Sequence, residues 1–357
     1  MLHRLLLVEV ANYKVIALIS CICLLSLVGL FVYAHHRGEL GAVSLVLALV
    51  AAADVVNTHY GYLPQVADVV GANDWHTVPL QEVLQASPGL TDRPSRLTLR
   101  TGGVVSLNID GTSSGFGRRH VLVELPPQYF TEPTRRFAVV YLLHGSPGRP
   151  EDWLRAGRLL QVRQLAANAT PMIFVMPPMS RGWLDDSECV DSTHERVETW
   201  LVSDVVQAID SLLRTQADRS HRAVAGTSAG GYCALNLAVR HSSLFGVALD
   251  MSGYTEPTHD GGLRHLFGAR WRQDAAANTP ADYLAGHAVV LPLRIRFDVG
   301  TSDHRPLREI NRVIPVLRER GVSAFFVERS GGHTYHVWVP ALRDGLVWLA
   351  SQFAQAS

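Results

Sequence analysis

Ser228 stands in Gly226-Thr227-Ser228-Ala229-Gly230, a setting that can turn a serine hydroxyl into a nucleophile. His221-Arg222-Ala223-Val224-Ala225 precedes it as a short apolar run, and a helix-like stretch, Gly231 to Val239, follows. Strand, sharp turn and helix are what a nucleophile elbow requires. The glycines allow the tight turn, and the helix N-terminus beneath favours negative charge at the reacting centre. A serine hydroxyl still needs a histidine to take its proton and an acid to orient that histidine. The acid is expected after a later strand and the histidine after the last one. Asp303 fits the first place, in the loop Gly300-Thr301-Ser302-Asp303 beyond Phe297-Asp298-Val299. Asp298, on that strand, and Asp250, after an earlier one, compete with it. His333 fits the second place, delivered by Gly331-Gly332, with His336 as its competitor. Such a set performs acyl transfer through a covalent acyl-enzyme.

The oxyanion formed in that chemistry needs two preorganised N–H donors. Ala229 N–H is one candidate. Ser146 N–H is the other, in His144-Gly145-Ser146-Pro147-Gly148, because Pro147 has no N–H. His144 is read as a support for this loop. A second G-x-S-x-G, Gly111-Thr112-Ser113-Ser114-Gly115, lacks a strand running into it and a helix leaving it. Ser113 is therefore read as a loop or hairpin residue.

Around these loops the apolar runs alternate with helical spacing. Leu97–Arg100, Val104–Ile109, His120–Leu125, Phe137–Leu143, Met172–Met176, Phe245–Leu249, Leu293–Phe297 and Ala324–Val327 read as strands. Leu201–Leu213, Ile310–Arg320 and Pro340–Phe353 read as helices. Early hairpins followed by alternating strand and helix predict an α/β fold with a mostly parallel sheet covered on both faces. Segment 253–290 reads either as a plain surface excursion or as a lid.

The chain has 357 residues, 47% hydrophobic, with 32 basic and 32 acidic side chains. That balance, without a basic cluster, gives no reason to expect nucleic acid. No Cys/His spacing resembles a metal site, and no cofactor is expected. Val15–Tyr33 carries no charge, and Leu40–Val56 only Asp54. Each is near the length of a membrane-crossing helix, so a transmembrane hairpin is predicted over 15–33 and 40–56. Residues 1–56 form the anchor, 57–94 a connector and 95–357 the catalytic domain. No Lys or Arg occurs from Gly38 to Asp92, which favours an outer location for that flank. Arg4 and Lys14 against Arg37 give a mixed signal on orientation. Cys189 and Cys233 are either two unrelated thiols or a disulfide that suits an oxidising compartment.

Taken together, Leu142–Gly148 with Trp153, the elbow 226–231, Gly300–Asp303 and Gly332-His333 with Trp338 resemble the esterase family of α/β-hydrolases. That family holds S-formylglutathione hydrolases, feruloyl esterases and mycolyltransferases. Ser114-Gly115-Phe116 with Arg119, and Leu125–Tyr129, resemble its early strands. Asn57–Tyr62 and Glu188-Cys189-Val190-Asp191 resemble stretches in membrane-anchored actinobacterial members. The resemblance implies an α/β-hydrolase domain outside the cytoplasmic membrane. Mycolyltransferases use glutamate as the acid, so Asp303 matches the esterase branch better. The expected partners are a small-molecule or lipid ester and the membrane. The expected activity is ester hydrolysis, with acyl transfer to a sugar or lipid alcohol, or non-catalytic binding, as alternatives.

Overall fold

The computed structural model describes residues 37–62, 75–85, 94–166, 170–182 and 185–355. They fall into two compact units. One comprises residues 37–62 with Thr334–His336, the other the described residues from Trp75 to His333 and from Val337 onward.

The described part of the first unit is dominated by helix α1 (Arg37–Tyr60). Leu45, Val46, Leu49, Val50, Val55 and Val56 are exposed on it. The first predicted span, 15–33, lies outside the described residues. The second, 40–56, falls within α1, yet among the described residues no helix is long and apolar enough to cross a membrane. Within the same unit His336 Nε2–H donates to the Thr58 carbonyl at 2.9 Å, and Tyr62 meets Tyr335 edge-on.

The larger unit is built on an 8-stranded sheet in the order β1-β2-β4-β3-β5-β6-β7-β8. The strands are β1 (Gly103–Gly111), β2 (Gly117–Leu125), β3 (Ala138–Leu143), β4 (Met172–Met176), β5 (Arg222–Thr227), β6 (Val247–Met251), β7 (Arg294–Gly300) and β8 (Ser323–Arg329). β1 and β2 form an antiparallel hairpin, and β2 meets β4 antiparallel. From β4 to β8 all neighbours are parallel. Strands β3 to β6 are buried along their whole length, as parallel strands covered on both faces must be. Their side chains are accordingly near-continuous Val, Ile, Leu, Phe and Ala.

Three helices cover the sheet and carry the loops that matter below. Helix α2 (Ala229–Arg240) is buried from Ala229 to Val239. Helix α3 (His304–Glu319) buries Ile310, Val313, Ile314 and Leu317, a spacing that lays one apolar stripe on the sheet. Helix α4 (Tyr335–Ala354) closes the chain. Segment 253–290 folds into the short helices Leu263–Phe267, Trp271–Ala277 and Pro280–Gly286. It contributes Leu266, Phe267 and Ala275 to a small satellite core with Val190.

Three local readings need correction. Leu97–Arg100 is helical, inside Arg96–Thr101, because the Ser95 hydroxyl accepts the Thr98 N–H and caps it. α3 starts at His304, well before Ile310. Pro306 lies in its first turn, where a missing N–H breaks no helical bond. α4 starts at Tyr335 and holds Pro340 inside it. Residues 75–85, inside the 57–94 segment, pack on the sheet edge. Val78 N–H donates to Val104 O and Val104 N–H to His76 O, both at 2.8 Å.

Candidate active site

Ser228 takes φ 55° and ψ −121° between β5 and α2. A non-glycine residue in the left-handed region is strained, and such strain gathers at functional turns. The turn needs Gly226, since a Cβ there would collide with the Gly230 backbone. Ser228 N–H donates to Met251 O at 3.0 Å, which pins the elbow to the end of β6.

The loop after β8 brings His333 to this serine. His333 Nε2 lies 2.8 Å from Ser228 Oγ, and His333 Nδ1 lies 2.7 Å from Asp303 Oδ2. With the proton on Nδ1, the imidazole donates to Asp303 and accepts from the Ser228 hydroxyl. The Trp338 ring stands edge-on against His333 at 4.9 Å. Asp303 precedes α3 in the N-cap position, but its side chain makes no capping bond. Its carboxylate is turned to the histidine instead.

The competing residues are engaged elsewhere. Asp298 is fully buried and paired with Arg296 at 2.7 Å and with Arg329. His336 is bonded to Thr58. Asp250 is fully buried; its Oδ1 accepts the Gly253 N–H at 2.6 Å, and its Oδ2 has no partner among the described residues. Burial pushes the Asp250 carboxyl up to about 8, opposed by the Gly253 bond and reinforced by Asp298 and Asp303. The folded chain therefore keeps this proton to about pH 8, while the unfolded chain releases it near 3.8. Between these values the folded state binds more protons, so stability falls as pH rises through the window. Thermal melts from pH 5 to 8 should show Asp250→Asn losing less stability with pH than wild type, by up to ~1.4 kcal/mol per pH unit. Identical slopes would contradict the assignment.

The loop after β3 lies against the nucleophile. A Cβ at Gly145 would stand 3.4 Å from the Ser228 Cβ. His144 is buried beneath the loop; Nδ1 bonds the Gly145 carbonyl at 2.8 Å and Nε2 accepts the Met179 N–H at 3.3 Å. That pattern requires a neutral ring with the proton on Nδ1. Burial, opposed by the Gly145 bond, holds the imidazole down to about 4, consistent with this neutral ring. His144 thus braces the loop, as expected. The Asp186 carboxyl is raised chiefly by burial, an effect that Ser146 opposes.

Cys189 and Cys233 form a disulfide, with Cα atoms 5.7 Å apart, linking the loop after β4 to α2. The residue before it, Glu188, is named from sequence only as part of the family-like stretch Glu188–Asp191, with no role of its own. It is buried at φ 53°, and its carboxylate accepts from Tyr254 and Thr258 hydroxyls at 2.8 Å. Burial, with Asp186 nearby, pushes Glu188 up to about 8. Asp204 was missed. Its carboxylate accepts the Ser113 and Ser114 N–H groups at 2.8 and 3.0 Å. This clamp explains the second G-x-S-x-G as the β1–β2 turn. Among the described residues no group of three or more His, Cys, Asp or Glu could hold a metal ion.

Comparison with known proteins follows the same lines. The chain is 28% identical over 324 residues to an uncharacterized protein of Corynebacterium glutamicum, covering 86% of this chain and 74% of that one. It is 35% identical over 144 residues to an esterase of Mycobacterium tuberculosis, covering 40% of this chain and 31% of that relative's length. A ferulic acid esterase structure superposes with a TM-score of 0.59 at 25% identity, covering 70% of this chain and 97% of that one. That likeness identifies the sheet and helices above as an α/β-hydrolase fold. The family model described as "Putative esterase" matches residues 113–349, more than half of the chain. The chain belongs to this Esterase family and is an enzyme, a serine hydrolase of carboxylic esters, with acyl transfer as the related alternative.

Proposed function

We propose that the chain hydrolyses a carboxylic ester through Ser228, His333 and Asp303. The observation that carries this reading is His333 set between Ser228 at 2.8 Å and Asp303 at 2.7 Å. Ser228 Oγ attacks the ester carbonyl carbon while His333 Nε2 takes its proton. Asp303 stabilises the imidazolium through Nδ1–H. The carbonyl oxygen becomes an oxyanion, held by the N–H groups of Ala229 and Ser146. The C–O bond then breaks, and His333 returns the proton to the departing alcohol. Water, activated by the same histidine, releases the acid and restores the serine.

An acceptor alcohol in place of water would make the same acyl-enzyme a transferase. Product analysis with p-nitrophenyl acetate separates the two. Hydrolysis predicts acetate and p-nitrophenol in equal amounts, unchanged by added trehalose, glycerol or glucose. Acetylated acceptor as the main product would replace the hydrolase reading with the transferase one. The absence of p-nitrophenol from a folded protein would refute both for this ester.

For location, we read the two apolar segments 15–33 and 40–56 as a membrane anchor that holds the enzyme on the outer side. Supporting this are the buried Cys189–Cys233 disulfide, a feature of oxidising compartments, and the lack of Lys or Arg from Gly38 to Asp92. The expected result is that a protease added to intact cells degrades the 95–357 region of a membrane-bound chain. Protection until the cells are lysed would place the domain inside.

A further inference from the structure

A cavity of about 200 Å³ opens where β2 ends and β4 begins. This is the N-terminal edge of the parallel strands, whereas Ser228 and His333 follow the C-terminal ends of β5 and β8. None of Ser228, Asp303, His333 or Ser146 lines it. Its walls combine two kinds of surface. Pro127, Met172, Phe174 and Leu346 give apolar lining, and Arg100 and Arg163 line the cavity as well, with Gln128 and Thr170 among the other polar residues.

Arg163 is held in position from behind. Its Nη2–H donates to the Thr101 carbonyl at 2.9 Å, and its Nε lies 3.1 Å from Glu124 Oε1. Glu124 is completely buried, and neither of its carboxylate oxygens makes an aligned hydrogen bond among the described residues. The pair therefore shares charge without satisfying it. Counting Glu124 against the two arginines leaves one net positive charge beside a partly apolar lining. A guanidinium presents a planar fork of donors that matches a carboxylate. The volume is below the ~300–1,000 Å³ of drug-sized sites, and a cavity of about 150 Å³ accommodates benzene. The ligand that fits is a singly charged anion with a compact apolar body.

We propose that this cavity binds a small apolar monocarboxylate, its carboxylate on Arg100 and Arg163 and its body on Phe174 and Leu346. A carboxylic acid is also what ester hydrolysis releases, so the site places a product-type ligand at the edge of the sheet away from the chemistry. The proposal stands without the catalytic assignment.

The test is a ¹⁹F NMR titration of the full chain with 4-fluorobenzoate, and with uncharged 4-fluorobenzamide, at pH 8. Glu124, pushed by burial to about 7, is then largely ionised. The benzoate should bind with a Kd of about 1 mM or tighter, and the amide at least tenfold more weakly. Arg100→Glu changes an exposed side chain and should weaken benzoate about tenfold or more. Leu346→Trp should fill the cavity and remove binding. Pre-labelling the reactive serine with a fluorophosphonate should leave binding intact. Wild-type affinity in Arg100→Glu, or equal binding of the amide, would overturn the proposal. Loss of binding on serine labelling would overturn it too, by placing the acid in the acyl site, and would leave the catalytic reading standing. A serine that takes no label would count against the catalytic reading alone.

Discussion

Ser228→Ala is expected to lower kcat/KM for a simple ester by roughly 10⁴- to 10⁶-fold and to abolish fluorophosphonate labelling. No other group can form the acyl-enzyme once Oγ is gone, and the residual rate would come from binding and the oxyanion donors. The change removes one oxygen from a partly exposed side chain, so the fold should persist. Removing Oγ also relieves no backbone strain, because alanine still carries a Cβ at φ 55°. Ser113→Ala is the matching control. Ser113 N–H donates to Asp204 through the backbone, a bond the substitution keeps. Activity and labelling should therefore stay near wild type. Labelling that survives Ser228→Ala and disappears in Ser113→Ala would reverse the assignment. Circular dichroism of both variants guards against reading a folding defect as a catalytic one.

The contrast between these serines shows what was legible in the chain. The elbow is local grammar, with its strand, turn and helix adjacent in sequence. The same pattern at 111–115 is told apart by the missing strand and helix around it. Asp303 and His333 could be picked out as neighbours of Ser228 because parallel strands bring their C-terminal loops to one edge of the sheet. Asp303 and His333 therefore meet Ser228 although 30 and 105 residues separate His333 from its two partners.

What stayed hidden depends on single long-range contacts. Asp204 reaches the Ser113–Ser114 turn from 91 and 90 residues away, and nothing in its own surroundings marks it. Glu188 looked like one acidic residue in an acidic stretch. Its burial follows from Tyr254 and Thr258, which lie 66 and 70 residues later. The disulfide belongs between these cases. Two cysteines in one domain raise the question, but only their Cα separation of 5.7 Å answers it. Leu97–Arg100 failed for another reason: alternation over so short a run is weaker than the Ser95 cap that starts a helix.

Asp303→Asn is expected to cost about 10⁴-fold in kcat with the fold intact. An asparagine side chain is nearly the same shape, so packing at this buried position should hold. Two things change. The imidazolium formed when Ser228 gives up its proton loses its counter-charge. The amide can also present N–H₂ to the ring, which favours the tautomer with the proton on Nε2, where Ser228 needs an acceptor. The other two carboxylates near the sheet edge make the result diagnostic. Asp298→Asn should weaken the bonds to Arg296 and Arg329, take the counter-charge from Arg296 while Arg329 keeps Asp344, and lower stability by about 3–5 kcal/mol. Its kcat per folded molecule should remain within about tenfold of wild type, because Asp298 does not touch His333. Asp250→Asn should also keep activity near pH 7, since that carboxyl, at about 8, is already largely neutral there. The measurement is kcat and KM for all three variants with denaturant titrations alongside. If Asp250→Asn or Asp298→Asn shows the 10⁴-fold loss and Asp303→Asn does not, the acid has been misassigned. A loss confined to Asp303→Asn ties the orientation of His333 to that one carboxylate.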